Sequence, residues 1–190
     1  MWISVPNGGF QLKKSQASPG RFLTVLREAL QNIHELRSFQ DERGFQGALL
    51  QELARRLERG VLPDDPIIEE EYQKRIRPHG IRIRPDIIVH VPFDRGLVER
   101  RDQGNFVAIE LKRRATVKAA KRAFANLAVM KKVLKYPLTI FVNIDSEQTR
   151  SEVCPKSIAD QSVCFAVRLE DGKPVVRAEK CGAAARKNGK

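Results

Sequence analysis

Cysteine, histidine and aromatic residues are scarce in this chain, and each shortage removes a class of function. The three cysteines, Cys154, Cys164 and Cys181, include no Cys-x-x-Cys pair and are odd in number. That spacing argues against a zinc ribbon and against a disulfide framework, leaving separate buried or free thiols of a reducing compartment as the expectation. His34, His79 and His90 are scattered, which fits neither a zinc cluster nor a histidine-centred triad. One Trp, two Tyr and nine Phe offer little for a platform on which unstacked bases pile up. No apolar run approaches the ~18–20 residues of a membrane span. Residues 1–20 also lack the basic-then-apolar layout of a secretory leader. A soluble, cytoplasmic protein with no membrane partner is expected.

Acidic residues are sparse in one part of the chain. Between Tyr72 and Lys135 there are 17 Lys and Arg against 5 Asp and Glu, a local excess equal to the whole chain's net charge of +12. The remainder is neutral in sum. Basicity concentrated in this way points to a polyanionic partner, most simply nucleic acid.

Length and a 42% hydrophobic fraction fit one core and one domain, residues 19–178, between a polar arm over 1–18 and a small basic tail over 179–190. Ser18-Pro19 reads as an N-cap and first helical residue. Phe22, Val25, Leu26, Ala29, Leu30, Ile33 and Leu36 then recur at helical spacing, predicting a helix over 19–38. Asp41 caps a second helix over 42–58, with Phe45, Leu49, Leu53 and Leu57 inward, which Gly60 and Pro63 end. The period then changes. IIEEEYQKRI, the turn RPHG and IRIRPDIIVHV read as a β-hairpin, and a polar loop leads to the strand NFVAIELK. Thr116 caps a third helix over 117–135 with Val117, Ala120, Phe124, Leu127, Ala128 and Leu134 inward. LTIFVNI is the next strand, and SVCFAVRL and PVVRAE, joined by EDGK, form a terminal hairpin. The strand–helix–strand step predicts an α/β fold with a mixed central sheet flanked by helices.

Two strands carry the chemistry. Arg84-Pro85-Asp86 precedes the apolar run Ile87, Ile88 and Val89, and Glu110-Leu111-Lys112 interrupts a strand that otherwise reads as buried. Glu110 and Lys112 lie two apart, so they project from one face. Buried charge of this kind is costly unless it is paired, hydrated or bound to metal. Pro85-Asp86, a spacer, then Glu110-x-Lys112 resembles the motif of the PD-(D/E)xK nuclease superfamily, and residues 41–145 follow that family's helix, three strands, helix, strand order. The resemblance implies a restriction-endonuclease-like αβββαβ core with an extra N-terminal helix and a C-terminal β-hairpin. It also implies Asp86, Glu110 and the Leu111 carbonyl as ligands for Mg²⁺, with Mn²⁺ as substitute, and Lys112 as the group that orients or helps deprotonate water and offsets charge on the phosphate. Magnesium takes oxygen ligands and keeps several waters, so one or two carboxylates plus a substrate phosphate suffice. A further acid comes from the first core helix in that family. Glu42 fits, with Phe45, Gln46 and Leu49 at i+3, i+4 and i+7, and Glu52 is the second candidate.

Arg84, Arg113, Arg114, Thr116, Lys118, Lys121 and Arg122 surround this motif and are the candidate nucleic-acid contacts. The Gln-x-x-x-Tyr pattern carried on this helix by RecB-like members of that family is absent, which argues against a processive, helicase-linked exonuclease. The expectation is a Mg²⁺-dependent nuclease, more an endonuclease, acting on duplex or branched DNA. A catalytically idle DNA binder of the same fold, or a protein whose basic surface meets an acidic partner, are the alternatives. The apolar stripe of the first helix must cover something, either its own sheet or a second copy in a homodimer.

Overall fold

The computed structural model describes residues 19–57, 66–70, 83–91 and 104–182. The arm over 1–18, the helix stop at Gly60 and Pro63, the turn RPHG, most of the loop over 93–104 and residues 183–190 lie outside the described residues. Three α-helices are described, α1 (Pro19–Gln31), α2 (Glu42–Leu57) and α3 (Val117–Leu134). The strands are β1 (Ile67–Glu70), β2 (Ile87–His90), β3 (Asn105–Arg113), β4 (Leu138–Ile144), β5 (Ser162–Glu170) and β6 (Lys173–Lys180). They form one six-stranded sheet in sequence order, antiparallel from β1 to β3 and between β5 and β6, parallel from β3 through β5. Among the described residues no helix is long and apolar enough to cross a membrane.

The alternation of β3 sorts the core into two layers. Val107, Ile109 and Leu111 pack with Phe22, Leu26 and Leu30 of α1 and with Phe45, Leu49 and Leu53 of α2. Ala108 turns the other way and meets Ala120, Phe124 and Leu127 of α3, with Phe141 and Cys164 from β4 and β5. Helices therefore cover both faces of a mixed sheet, as strands buried on both sides require. Asp41 accepts from the Gly44 N–H at 2.7 Å and starts α2, and the Thr116 hydroxyl accepts from the Ala119 N–H at 3.2 Å and starts α3. Asp171 and Gly172, both at positive φ, make the tight turn between β5 and β6, as the Asp-Gly pair predicts.

Several boundaries differ from expectation. The first helix ends at Gln31, where Asn32 bonds the Ala29 carbonyl three residues back, and a separate 3-10 turn follows over Leu36–Phe39. Ile33 is still buried, but Leu36 is 69% exposed, so the stripe that ran on to it is shorter than the periodicity implied. On α3, Val117 is exposed and Ala123 and Met130 fill the inward row beside the expected residues. The last strand runs to Lys180, past the anticipated domain edge at 178. The apolar stripe of α1 is covered within the chain by α2, the sheet and β6. That covering removes the reason given for a homodimer.

These placements predict opposite outcomes for two leucines. Leu26→Ala, which empties a fully buried site on α1, should cost about 2–5 kcal/mol in urea unfolding. Leu36→Ala should stay within about 0.5 kcal/mol. Similar losses at both positions would restore the long helix.

Candidate active site

The site begins where the β2–β3 ladder stops. Ile87 lies opposite Ile109 in antiparallel register, so the same register sets Pro85 opposite Leu111. Ile109 and Leu111 direct their N–H and C=O groups to the same edge, that of β2, because an antiparallel pair exchanges both bonds. Proline has no N–H to give the Leu111 carbonyl, and the ladder cannot continue there. The Asp86 carboxylate, in place of a strand carbonyl, accepts from the Leu111 N–H, with Oδ2 at 2.6 Å. Two residues on, the Arg113 N–H is taken by Glu42 Oε1 at 3.0 Å. Successive edge donors of β3 thus hold two carboxylates from two other elements. Gln46, one turn after Glu42 on α2, fixes the Asp86 backbone by donating to its carbonyl at 2.8 Å.

Lys112 closes the group. Its Nζ donates to Glu42 Oε2 at 3.0 Å and lies 3.9 Å from Asp86 Oδ2. Glu110 projects from the same face of β3 and is 3% exposed, with Asn126 of α3 donating to its Oε1 at 3.4 Å. Burial and then the nearby Asp86 charge push the Glu110 carboxyl up to about 8, against the pull of Lys112 and Asn126. Burial also opposes charge on Lys112, but Asp86, Glu42 and Glu110 outweigh it and hold its ammonium above the ordinary lysine value. Lys112 is therefore a cation at neutral pH in this state, a donor and not a base.

Among the described residues no three His, Cys, Asp or Glu side chains are grouped to hold a metal ion by themselves. The donor set still fits a hard cation of the magnesium type, which uses one or two carboxylates and draws the rest of its shell from water and phosphate. Asp86 and Glu110 would supply the carboxylates, and the carbonyl of Leu111 shares the edge that its N–H shows to Asp86. A buried carboxyl raised by a neighbouring acid gains from an added positive charge, whereas a plain salt bridge would already hold it ionised.

The sequence candidates separate here. Asp86, Glu110, Lys112 and Glu42 come together. Glu52 does not, because its carboxylate pairs with Arg55 and Arg56 on its own helix. Arg113 is committed to structure, with Nε on the Phe39 carbonyl at 2.7 Å and Nη2 on Asp145 at 2.8 Å. Arg114 also reaches Asp145, at 2.8 Å, from a left-handed backbone position, yet stays exposed. The Thr116 hydroxyl is used as a helix cap. Arg84, Lys118, Lys121 and Arg122 are exposed. Lys118, Arg122 and Asn126 recur every four residues, so one stripe of α3 runs from solvent cations to the amide on Glu110.

Three contributors were not anticipated as site residues. Gln46 was visible only as a polar residue in an inward helical row. Asn126 sits on α3 without a motif to mark it. Asn143, fully buried in β4, accepts from the Ala115 N–H at 2.8 Å and donates to the Gln148 carbonyl at 2.7 Å. It ties the turn after Lys112 to the β4–β5 connection, and a lone Asn inside LTIFVNI was its only sequence signal.

Comparison with family models, with curated proteins and with solved structures finds no match for the chain.

The raised Glu110 carboxyl has a testable sign. Its folded value exceeds the ordinary 4.5, so in chelator its stabilising effect is complete below about pH 4.5 and is lost as pH rises through about 8. Wild-type melting temperature should therefore fall relative to Glu110→Gln between about pH 5 and pH 8, since Gln copies the neutral form. Parallel curves for the two proteins would place Glu110 in an ordinary solvated setting.

Proposed function

We propose that this protein is a metal-dependent phosphodiesterase of restriction-endonuclease-like core, a nuclease hydrolysing phosphodiester bonds in duplex or branched DNA. The observation that carries the reading is the meeting of Asp86, Glu110, Lys112 and Glu42 where Pro85 interrupts the sheet. The element order from α2 to β4 and the basic stripe of α3 support it. A protein that only bound a polyanion has no use for a carboxyl raised by burial and by the acid beside it.

Asp86, Glu110 and the Leu111 carbonyl would hold Mg²⁺ or Mn²⁺. When bound, the ion would polarise a phosphoryl oxygen and lower the pKa of its water. Lys112, held by Glu42, presents an ammonium to the phosphoryl oxygens and stabilises the negative charge that grows during attack. Glu42 is the positioning partner, and its loss leaves Lys112 to swing between Asp86 and solvent. Asn126 holds the Glu110 carboxyl by donating to its Oε1. Lys118, Lys121 and Arg122 track the phosphate backbone.

Incubating the purified protein with plasmid, linear duplex, branched duplex and single strand in Mg²⁺, Mn²⁺ or chelator tests this directly. Cleavage of double-stranded substrate should require the ion and should fall at least ~100-fold in Lys112→Ala, with DNA affinity nearly kept. Asp86→Asn should be inactive. Tight binding without cleavage under every condition would favour the idle DNA binder, and no binding would favour an acidic protein partner. Joint replacement of Lys118, Lys121 and Arg122 should flatten the salt dependence of binding, whose slope is about −0.9 per phosphate contact on duplex DNA. An unchanged slope would remove this stripe from the interface.

A further inference from the structure

The three thiols that stand apart in the sequence meet on the α3 side of the sheet. Ser162 on β5 lies opposite Cys181, whose N–H reaches the Ser162 carbonyl at 3.1 Å, so Cys164 and Cys181 are diagonal neighbours on one face. Both are buried, and their Sγ atoms are 3.0 Å apart, about 1 Å more than a disulfide bond. Cys154, from the β4–β5 connection, is half-buried and packs against the cluster that holds both of them. Two adjacent sulfurs with a third, more accessible one beside them form a graded path from solvent to the core.

We propose that Cys164 and Cys181 are a disulfide-forming pair, served by Cys154 as the exchange thiol through which a small-molecule disulfide oxidises it. In the first step the Cys154 thiolate attacks one sulfur of the oxidant, breaking its S–S bond and expelling one small thiol. Cys181 then attacks Cys154 Sγ, and the second small thiol leaves. Cys164 attacks Cys181 Sγ and returns Cys154 to its thiol form. The pair gives up two electrons and two protons, and the oxidant becomes two thiols. The closed loop runs from residue 164 to residue 181 and pins the end of β6 to β5.

The hydrogen bond to Cys181, and then burial, raise the Cys154 thiol above its ordinary range. At Cys181 the bond with Cys154 pulls downward, but Cys164 and burial outweigh it. The thiols therefore keep their protons, so exchange is slow at neutral pH and quickens as pH rises. The same disfavoured Cys181 thiolate makes the bond hard to reduce once formed.

The test uses the full chain incubated with oxidised glutathione at pH 8, followed by thiol counting in denaturant and mass mapping of digested peptides. The expected product has lost two hydrogens, joins Cys164 to Cys181, keeps one free thiol at Cys154, and melts about 5–10 °C higher than the reduced form. Cys154→Ser should form the same bond at least ~10-fold more slowly. Three free thiols after oxidation, or an end product joining Cys154 to either partner, would overturn the proposal. Equal rates for wild type and Cys154→Ser would overturn the exchange role. Mapping the wild-type product decides the pairing even if a variant fails to fold.

Discussion

A proline nitrogen has no hydrogen to give, and the site is built on that absence. At Pro85 the pairing of β2 with β3 must stop, although β3 continues to Arg113 and stays paired with β4 on its other side. The unclaimed edge then presents backbone N–H groups in a row, two of which are satisfied by carboxylates from Asp86 and Glu42. A buried N–H left without a partner costs on the order of 1–3 kcal/mol. The acids are thus fixed by the same demand that keeps any sheet paired.

Charge is balanced around this gap more than it is neutralised. Glu42, Asp86 and Glu110 surround one ammonium, so the group carries an excess of acid when all four are ionised. Burial and then the Asp86 charge keep the proton on Glu110, and the acids around Lys112 outweigh burial and hold its proton more tightly. A settled salt-bridge network would show carboxyls pulled below their ordinary range. Here one is pushed up, and the excess is of the sign and oxygen chemistry that a hard divalent cation relieves.

Much of this was legible in the residues. The period-two alternation of β3 placed Glu110 with Lys112, the Asp-Gly turn located the last hairpin, and Thr116 marked the start of α3. The helix acid stayed open in the sequence, because Glu42 and Glu52 both fall near the inward face of α2. Only the tertiary contact separates them, with Glu42 on the open edge of β3 and Glu52 taken by its own Arg55 and Arg56. Leu36 was misplaced because helical spacing persists across a break that Asn32 introduces. Contacts between elements distant in the chain, such as Gln46 with Asp86, Asn126 with Glu110, and the three thiols, leave no local pattern to read.

Asp86 and Glu110 are proposed to form an ion site held partly shut by a proton. Calorimetric titration of Mn²⁺ at pH 7 in two buffers of different ionisation enthalpy measures how many protons leave as the ion enters. With the Glu110 carboxyl at about 8, wild type should release nearly one proton per ion, and Glu110→Gln nearly none. Binding heat that is independent of the buffer, or no binding in either protein, would contradict the account.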